Sequence, residues 1–496
     1  MSSIMKLQNG SDIRGIALPG IEGEEVNLDE YDAVAIGEAF VYWLSLKLCK
    51  SEYNLNICIG YDSRLSAQPL KESLMKGICM MGSRCTDAGL ASTPAMFMST
   101  VMPVYEFDGA IIITASHLPW NRNGFKFFTA DGGLEKEDIQ AILKRASTIH
   151  PIAEHFECEE ENVMEMYAAH LRSLISRKVG GKLEGMKITV DAGNGSGGFF
   201  AEKVLAPLGA DVSSSQFLEP DGHFPNHIPN PENPDAMASI CQRVKESGSD
   251  LGIIFDTDVD RSAAVTGKGE PISRNAIVAL AAALEAPNHP GGTVVTDSIT
   301  SNELHTFLEE ELGLHHLRFK RGYRNVINKA ISLKEDGEDA FLAIETSGHA
   351  AYSDNYYLDD GAYLACLVVA AAAKLKQEGK DIQALIEKLE APAEAQEFRM
   401  KLDPENFVKI GTSILEGMLV WVEATEGLSL EEPNYEGVRV NFDLSGSTGW
   451  FLLRKSLHDP VLPLNVESRE EGGIQKALPL LREYLSQFDG IDISVL

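Results

Sequence analysis

The stretch Leu251-Gly252-Ile253-Ile254-Phe255-Asp256-Thr257-Asp258-Val259-Asp260-Arg261 changes character at its midpoint. Its first five residues form an apolar run of the length of a buried strand, and turn chemistry follows. Carboxylates then leave the strand end at alternate positions, Asp256, Asp258 and Asp260. In extended backbone, alternate side chains fall on one side. Three carboxylates on one side repel one another unless a cation sits among them. Hard oxygen ligands suit Mg2+ or Mn2+ better than zinc or copper. An EF-hand loop also opens D-x-D-x-D, but it needs Gly at its sixth position and Glu at its twelfth. This chain has Arg261 and Gly267 there. A solvated acidic turn is the plain alternative. Arg261 weighs against it, because a cation beside a metal-binding trio implies an accompanying anion, and phosphate is the usual anion beside Mg2+.

The same order of strand, polar loop and amphipathic helix recurs. It appears at Asn56-Ile57-Cys58-Ile59-Gly60-Tyr61-Asp62-Ser63-Arg64, then from Ala67. It returns at Lys187-Ile188-Thr189-Val190-Asp191-Ala192-Gly193, then from Phe199, and at Gly292-Thr293-Val294-Val295-Thr296-Asp297-Ser298, then from Asn302. Alternating strands and helices predict α/β units with parallel or mixed sheets. Three starts, roughly 110 to 130 residues apart, predict three similar α/β domains. The last hundred or so residues read differently. Val438 to Asp443 and Gly449 to Arg454 look like adjacent strands joined by a turn from Asp443 to Thr448, and Gly473 to Phe488 like a closing helix. This predicts a smaller α+β domain.

Composition excludes several classes. The net charge of −31 over 496 residues argues against nucleic acid or an anionic membrane as partner. A local cluster of Arg and Lys can still hold a small phosphorylated ligand. Ala276 to Ala286 is apolar, but it is too short to span a bilayer and ends at Pro287. Seven cysteines, without a C-x-x-C spacing, read as reduced thiols. The amino terminus carries neither a secretory apolar core nor a transit-type lead, so the expectation is the cytosol, or a plastid if a transit peptide has been removed.

Ile111-Ile112-Ile113-Thr114-Ala115-Ser116-His117 is another apolar strand that ends in polar residues. Pro119 and Gly124 make the loop after it rigid and turning, and Lys126 follows. Ser116 is a candidate nucleophile, with His117 or Lys126 assisting; a helix-capping serine is the simpler reading of Ser116 alone. Gly193 to Gly198 matches G-x-G-x-x-G, but the acidic residue expected about 20 positions on is poorly met, and a tight strand-to-helix turn explains the glycines. Glu345-Thr346-Ser347-Gly348-His349 offers groups that bind sugar hydroxyls. Lys320-Arg321-Gly322-Tyr323-Arg324 and Arg454-Lys455-Ser456-Leu457-His458-Asp459-Pro460 are local cation sites in an acidic chain. A metal trio, a loop serine and separate cationic loops are what phosphoryl transfer through a phosphoserine needs.

Taken in this order, the loops resemble the α-D-phosphohexomutase family of phosphoglucomutases, phosphomannomutases and phosphoglucosamine mutases. Thr114 to His117 with Asn123 to Lys126 looks like the family's phosphoserine loop, Asp256 to Arg261 its metal loop, and Glu345 to His349 its sugar loop. Asp191 to Gly195 and Gly60 to Arg64 also match. The resemblance implies the three α/β domains and the smaller fourth around a central cleft: 1–165 carrying the phosphoserine, 166–274 the metal, 275–393 the sugar loop and 394–496 a phosphate site. It implies Ser116 as phosphoryl carrier and, once phosphorylated, as a ligand of Mg2+ beside Asp256, Asp258 and Asp260. Arg14 and Arg261 would stabilise the transferring group, and His117 and Lys126 are the acid–base candidates. Arg324, Glu345, Ser347, His349, Arg454, Ser456 and His458 would bind substrate. The terminal loop departs from the family's R-x-S-x-T-E-P, with His458 and Asp459 in place of Thr and Glu.

The implied reaction is the interconversion of hexose 1-phosphate and hexose 6-phosphate through a 1,6-bisphosphate, with glucose 1,6-bisphosphate as primer. Phosphoglucomutase and phosphomannomutase activity is the leading expectation, in a monomer or dimer. The alternatives are a phosphoglucosamine mutase, a sugar-phosphate-binding homologue with weak turnover, and an oxidoreductase using Gly193 to Gly198.

Overall fold

The computed structural model of the protein describes residues 3–105, 107–149, 158–456 and 459–496. They form two units. The first comprises Met1–Leu284 and Ser347–Leu385, the second Glu285–Thr346 and Ile386–Leu496.

The first unit contains two sheets. In the larger, Asp12–Ile16, Arg122–Thr129, Gly109–Ile113, Asn56–Tyr61 and Arg84–Leu90 lie side by side in that order. The last three are mutually parallel, and Arg122–Thr129 runs antiparallel to both its neighbours. Every residue of Gly109–Ile113 is buried, as a central strand covered on both faces requires. The helices Glu30–Leu48, Ala67–Met80 and Lys136–Ala146 supply side chains to the core beneath this sheet. The first begins at Asp29, whose side chain accepts from Asp32 N while Asp32 accepts from Asp29 N. This reciprocal cap satisfies two amide donors that a helix start otherwise leaves open.

The second sheet orders Pro271–Ile272, Ser262–Thr266, Leu251–Phe255 and Ile188–Asp191. Leu251–Phe255, fully buried, runs parallel to Ile188–Asp191 and antiparallel to Ser262–Thr266. The helix expected from Phe199 is only a π-helical turn, Phe200–Leu205, followed by the short 3-10 turn Ala206–Leu208. Pro207 has no N–H to continue an α-helix. The carbonyl of Lys203 accepts from Arg172 Nη1 instead. Gly361–Gln377 is apolar around most of its circumference, and it is correspondingly buried, packed on Val163–Val179. Its N-cap Asp360 accepts from Tyr363 N at 2.8 Å and from the Tyr167 hydroxyl at 2.6 Å.

In the second unit, Thr293–Asp297 lies between His315–Phe319 and Ala340–Ile344, all parallel. Tyr323–Glu335 packs on this layer. A separate antiparallel sheet holds Val438–Leu444, Ser447–Leu453, Val461–Ser468 and Glu394–Leu402 in adjacent order. Phe407–Glu423 and Gly473–Leu485 close its core. The chain is thus built of mixed-sheet α/β layers followed by a sheet-and-helix C-terminal domain, the predicted fold class. The hairpin turn is tighter than the sequence suggested. Leu444 pairs directly with Ser447, leaving Ser445 (φ 52°) and Gly446 (φ 78°) as a two-residue connection. Positive φ at both positions matches the twist of the flanking strands.

Candidate functional site

Two loops of the first unit meet at the ends of their strands. Asp256, Asp258 and Asp260 follow Leu251–Phe255 and are almost completely buried. One oxygen of each lies within 4.8 Å of the others. Ser116 follows Gly109–Ile113, and its Oγ donates to Asp256 Oδ2 at 3.1 Å. Arg261 reaches across the junction: Nη2 donates to Ser116 Oγ at 2.6 Å and to Asp256 Oδ2 at 2.9 Å. Lys126 Nζ donates to Asp258 Oδ2 at 3.0 Å and Asp260 Oδ2 at 2.5 Å. The structure therefore brings Ser116, His117, Lys126, Arg261 and the three aspartates together.

The backbone at this junction is held in unusual conformations. Ser116 has φ 50° and Val259 has φ 68°. The left-handed region disfavours β-branched side chains most, so Val259 is held there by its surroundings. Gly361 N donates to the Val259 carbonyl at 3.1 Å, and Thr93 N to that of Asp258 at 2.8 Å. The glycine-rich turn after Ile188–Asp191 serves the same loop. Ser196 N donates to the Thr257 carbonyl at 2.8 Å, and a Cβ on Gly195 would lie 2.5 Å from that oxygen. These glycines admit the loop of Asp256 to Asp260, which accounts for the motif without a dinucleotide.

Burial and the neighbouring Asp260 push the Asp256 carboxyl well up. Burial opposes the charge on Asp260 as well, but Lys126, His349 and Arg261 hold its pKa below the usual range. Crowded carboxylates of this kind are relieved by a cation. Asp258 Oδ1 and Asp260 Oδ1 are buried and accept no hydrogen bond. Two open oxygens among hard donors fit a divalent ion. The His117 ring, whose Nδ1 accepts from Arg261 Nη2 at 2.6 Å, is pushed down to about 3 by burial and by that guanidinium. It is neutral, with its proton on Nε2.

His349 belongs to this neighbourhood too. Its Nδ1 lies 2.6 Å from Asp359 Oδ2 and 3.9 Å from Asp260 Oδ1. Burial works against its charge, but Asp359 and Asp260 outweigh it and raise the ring to about 9. Ser347 Oγ is buried without a hydrogen-bond partner. Arg14, on Asp12–Ile16, pairs with Asp12 Oδ2 at 2.8 Å, and its charge helps to depress His117.

The remaining predicted residues lie in the second unit. Glu345 Oε1 accepts from Gly322 N at 2.7 Å. Thr346 Oγ1 donates to Asp297 Oδ2 at 2.9 Å, and Arg321 Nε stands 3.6 Å from the same oxygen. Burial, then Glu345, raises Asp297 to about 7. Arg454 is buried, its Nε has no hydrogen-bond partner, and burial followed by Arg321 lowers its pKa. Two guanidinium groups held near each other in this way suit a phosphate. Arg324 begins Tyr323–Glu335 one residue after its first position. Ser456 Oγ accepts from Asp459 N at 3.2 Å, and His458 lies outside the described residues.

Sequence reasoning gave no role to Asp62 and Arg64, to Asp359, or to Asp297 and Arg321 as a pair. The signal for the first was an acidic residue two before an arginine at a strand end. The others come together only in the folded chain.

Comparison with known proteins places these observations in context. Family models match three consecutive segments: phosphoglucomutase/phosphomannomutase alpha/beta/alpha domain I over residues 5–152, domain II over 165–269 and domain III over 273–392. A phosphomannomutase/phosphoglucomutase of Pseudomonas putida is 30% identical over 433 residues, covering 86% of this chain and 87% of that protein. One of Pseudomonas syringae is 30% identical over 469 residues, covering 94% and 92%. The crystal structure of a phosphoglucomutase/phosphomannomutase family protein from Burkholderia thailandensis superposes with a TM-score of 0.76 at 25% identity, over 98% of this chain and 99% of the other.

Proposed function

Because the chain belongs to the phosphoglucomutase/phosphomannomutase family, an isomerase family of phosphohexomutases, we propose that it interconverts the 1- and 6-phosphates of glucose and mannose with Ser116 as phosphoryl carrier. The observation that carries this reading is the placement of Ser116 Oγ between Arg261 Nη2 and Asp256 Oδ2, beside two buried carboxylate oxygens that accept no hydrogen bond. A hydroxyl so placed is oriented and its oxygen is met by a fixed positive charge.

Asp256, Asp258 and Asp260 would hold Mg2+, which supplies charge neutralisation on the phosphoryl oxygens. The chain's own groups do the rest. Arg261 donates to the serine oxygen, where charge develops as the phosphoryl group leaves. Lys126, on Asp258 and Asp260, is the group placed to exchange the hydroxyl proton of the acceptor, while neutral His117, its Nδ1 taken by Arg261, acts as a donor through Nε2. Arg14 adds positive charge beside them. In the second unit, Glu345 is assigned to sugar hydroxyls, and Arg454, Ser456, Arg321 and Arg324 to the phosphate not in transfer. Ser347 and His349 of the first unit are assigned to substrate as well. Glucose 1,6-bisphosphate primes the serine.

The test is a panel of glucose, mannose and glucosamine 1-phosphates with Mg2+ and the bisphosphate primer, run on wild type and Ser116→Ala. Turnover of the first two, lost in the variant, supports the reading. Turnover of glucosamine 1-phosphate alone would make the chain a phosphoglucosamine mutase. Binding without turnover would make it a sugar-phosphate-binding homologue.

A further inference from the structure

Ser116 is also held through its backbone. Its N–H donates to Thr114 Oγ1 at 2.9 Å, and the Thr114 hydroxyl donates to Asp62 Oδ2 at 2.6 Å. Asp62 accepts from Arg64 N at 2.9 Å and faces Arg64 Nε at 3.4 Å. The Arg64 guanidinium completes the circuit from the other side. Nη2 donates to the carbonyls of Ser116 and Leu118, and Nη1 to those of Pro119 at 2.8 Å and Arg122 at 2.9 Å. Both the N–H and the C=O of Ser116 are thus tied to one ion pair whose two side chains are 0% exposed.

Arg64 is fixed in turn. The Phe224 ring lies over it, 5.4 Å from the guanidinium carbon. Gly222 rests against the backbone at Ser63 to Leu65, where a Cβ would fall 2.5 Å from the Ser63 carbonyl. A planar guanidinium with five donors can serve four carbonyls from one position; an ammonium has three donors on one atom and cannot. Ser116 keeps φ 50° because this frame imposes it.

We propose that the Asp62–Arg64 pair is the positioning element of the phosphoryl carrier. It holds Ser116 in the left-handed conformation that aims Oγ at Asp256 and Arg261. It thereby sets the partition of the phosphoryl group between a hexose hydroxyl and water. In the productive transfer the Oγ–P bond breaks, a bond from phosphorus to the hexose oxygen forms, and the hydroxyl proton ends on Ser116 Oγ. In the leak, water replaces the hexose and the products are inorganic phosphate and the same serine hydroxyl. The inference rests on Ser116 as carrier.

The experiment uses full-length wild type, Arg64→Lys and Thr114→Val, each phosphorylated with glucose 1,6-bisphosphate. Transfer to glucose 1-phosphate and release of inorganic phosphate without acceptor are both measured. An ångström of misplacement predicts a kcat about 100-fold lower in Arg64→Lys. KM should stay within about threefold, and leak relative to transfer should rise at least about tenfold. Loss of folded protein alone lowers transfer and leak together, so a ratio equal to wild type in both variants overturns the inference. If Arg64→Lys does not fold, Thr114→Val, which keeps the side-chain shape and removes the hydroxyl that joins the Ser116 N–H to Asp62, carries the same test. A wild-type chain that takes no phosphoryl group at Ser116 overturns the mutase reading and this inference with it.

Discussion

Ser116 Oγ and Asp256 Oδ2 stand 3.1 Å apart, 140 residues from each other along the chain. The hydroxyl hangs from one sheet of the first unit and the carboxylate from the other. Phosphorylation of Ser116 would set an anion against three buried carboxylates, and only a cation makes that arrangement favourable. Mg2+ should therefore bind the phosphorylated chain at least about tenfold more tightly than the dephosphorylated one, because an added anionic oxygen enters the coordination shell. Titration calorimetry on the two forms checks this, and equal affinities would count against the assignment of Ser116 as a ligand.

Gly195→Ala tests the backbone contact that carries the metal loop. The added methyl would lie 2.5 Å from the Thr257 carbonyl, and neither backbone can yield cheaply. Overpacking of this kind costs about 1–3 kcal/mol. Metal affinity should fall along with thermal stability. A variant as stable as wild type with unchanged Mg2+ affinity would show that the contact does not hold the loop.

The pH dependence of stability should carry a term from Glu467. Burial raises this carboxyl to about 7, against the hydrogen bond from Trp450 Nε1 at 2.9 Å, which lowers it. Its pKa in the folded state lies above its unfolded value, so the folded form binds the proton more tightly. Stability from this group is intact below the unfolded pKa and is lost as pH rises toward about 7, by on the order of 3 kcal/mol. Glu467→Gln keeps an acceptor for Trp450 and removes the proton. The melting temperature of this variant should exceed that of wild type at about pH 8, with a smaller difference at about pH 5. An equal difference at both would refute it.

Arg454→Ala should separate binding from chemistry. Arg454 has a buried Nε without a partner, and its charge lies near Arg321 in the second unit. If it holds the phosphate that stays put, its loss removes interactions made equally in ground and transition states. KM should then rise by roughly 10- to 100-fold, with kcat falling less. An unchanged KM in steady-state assays would remove Arg454 from the substrate site.

Much of this was legible in the chain because it is local. Leu251–Phe255 is continuously apolar and becomes a buried strand, and the aspartates spaced two apart at its end converge as the spacing predicts. Ser116 stands at the end of the strand that Ile111-Ile112-Ile113 announced. What stayed hidden is what only tertiary proximity creates. Nothing around Asp359 announces that it will face His349, nor around Arg64 that four carbonyls will converge on it. The helix expected from Phe199 is short, a π turn over Phe200–Leu205 that passes into a 3-10 turn at Pro207, a stop that was visible in the sequence. The two-residue hairpin turn was only half legible, because Gly446 adopts positive φ freely whereas Ser445 is held there by the register of its strands.

Two close approaches in the first unit, Gly222 on the Ser63–Leu65 backbone and Gly195 on Thr257, involve main chain only. A side-chain contact can drift through substitutions of graded size, each compensated by a neighbour. A main-chain contact offers no such intermediate steps. These two spacings are therefore kept or lost whole, and graded adjustment of the proposed substrate site is left to side chains such as Glu345, Arg321 and Arg454 in the second unit.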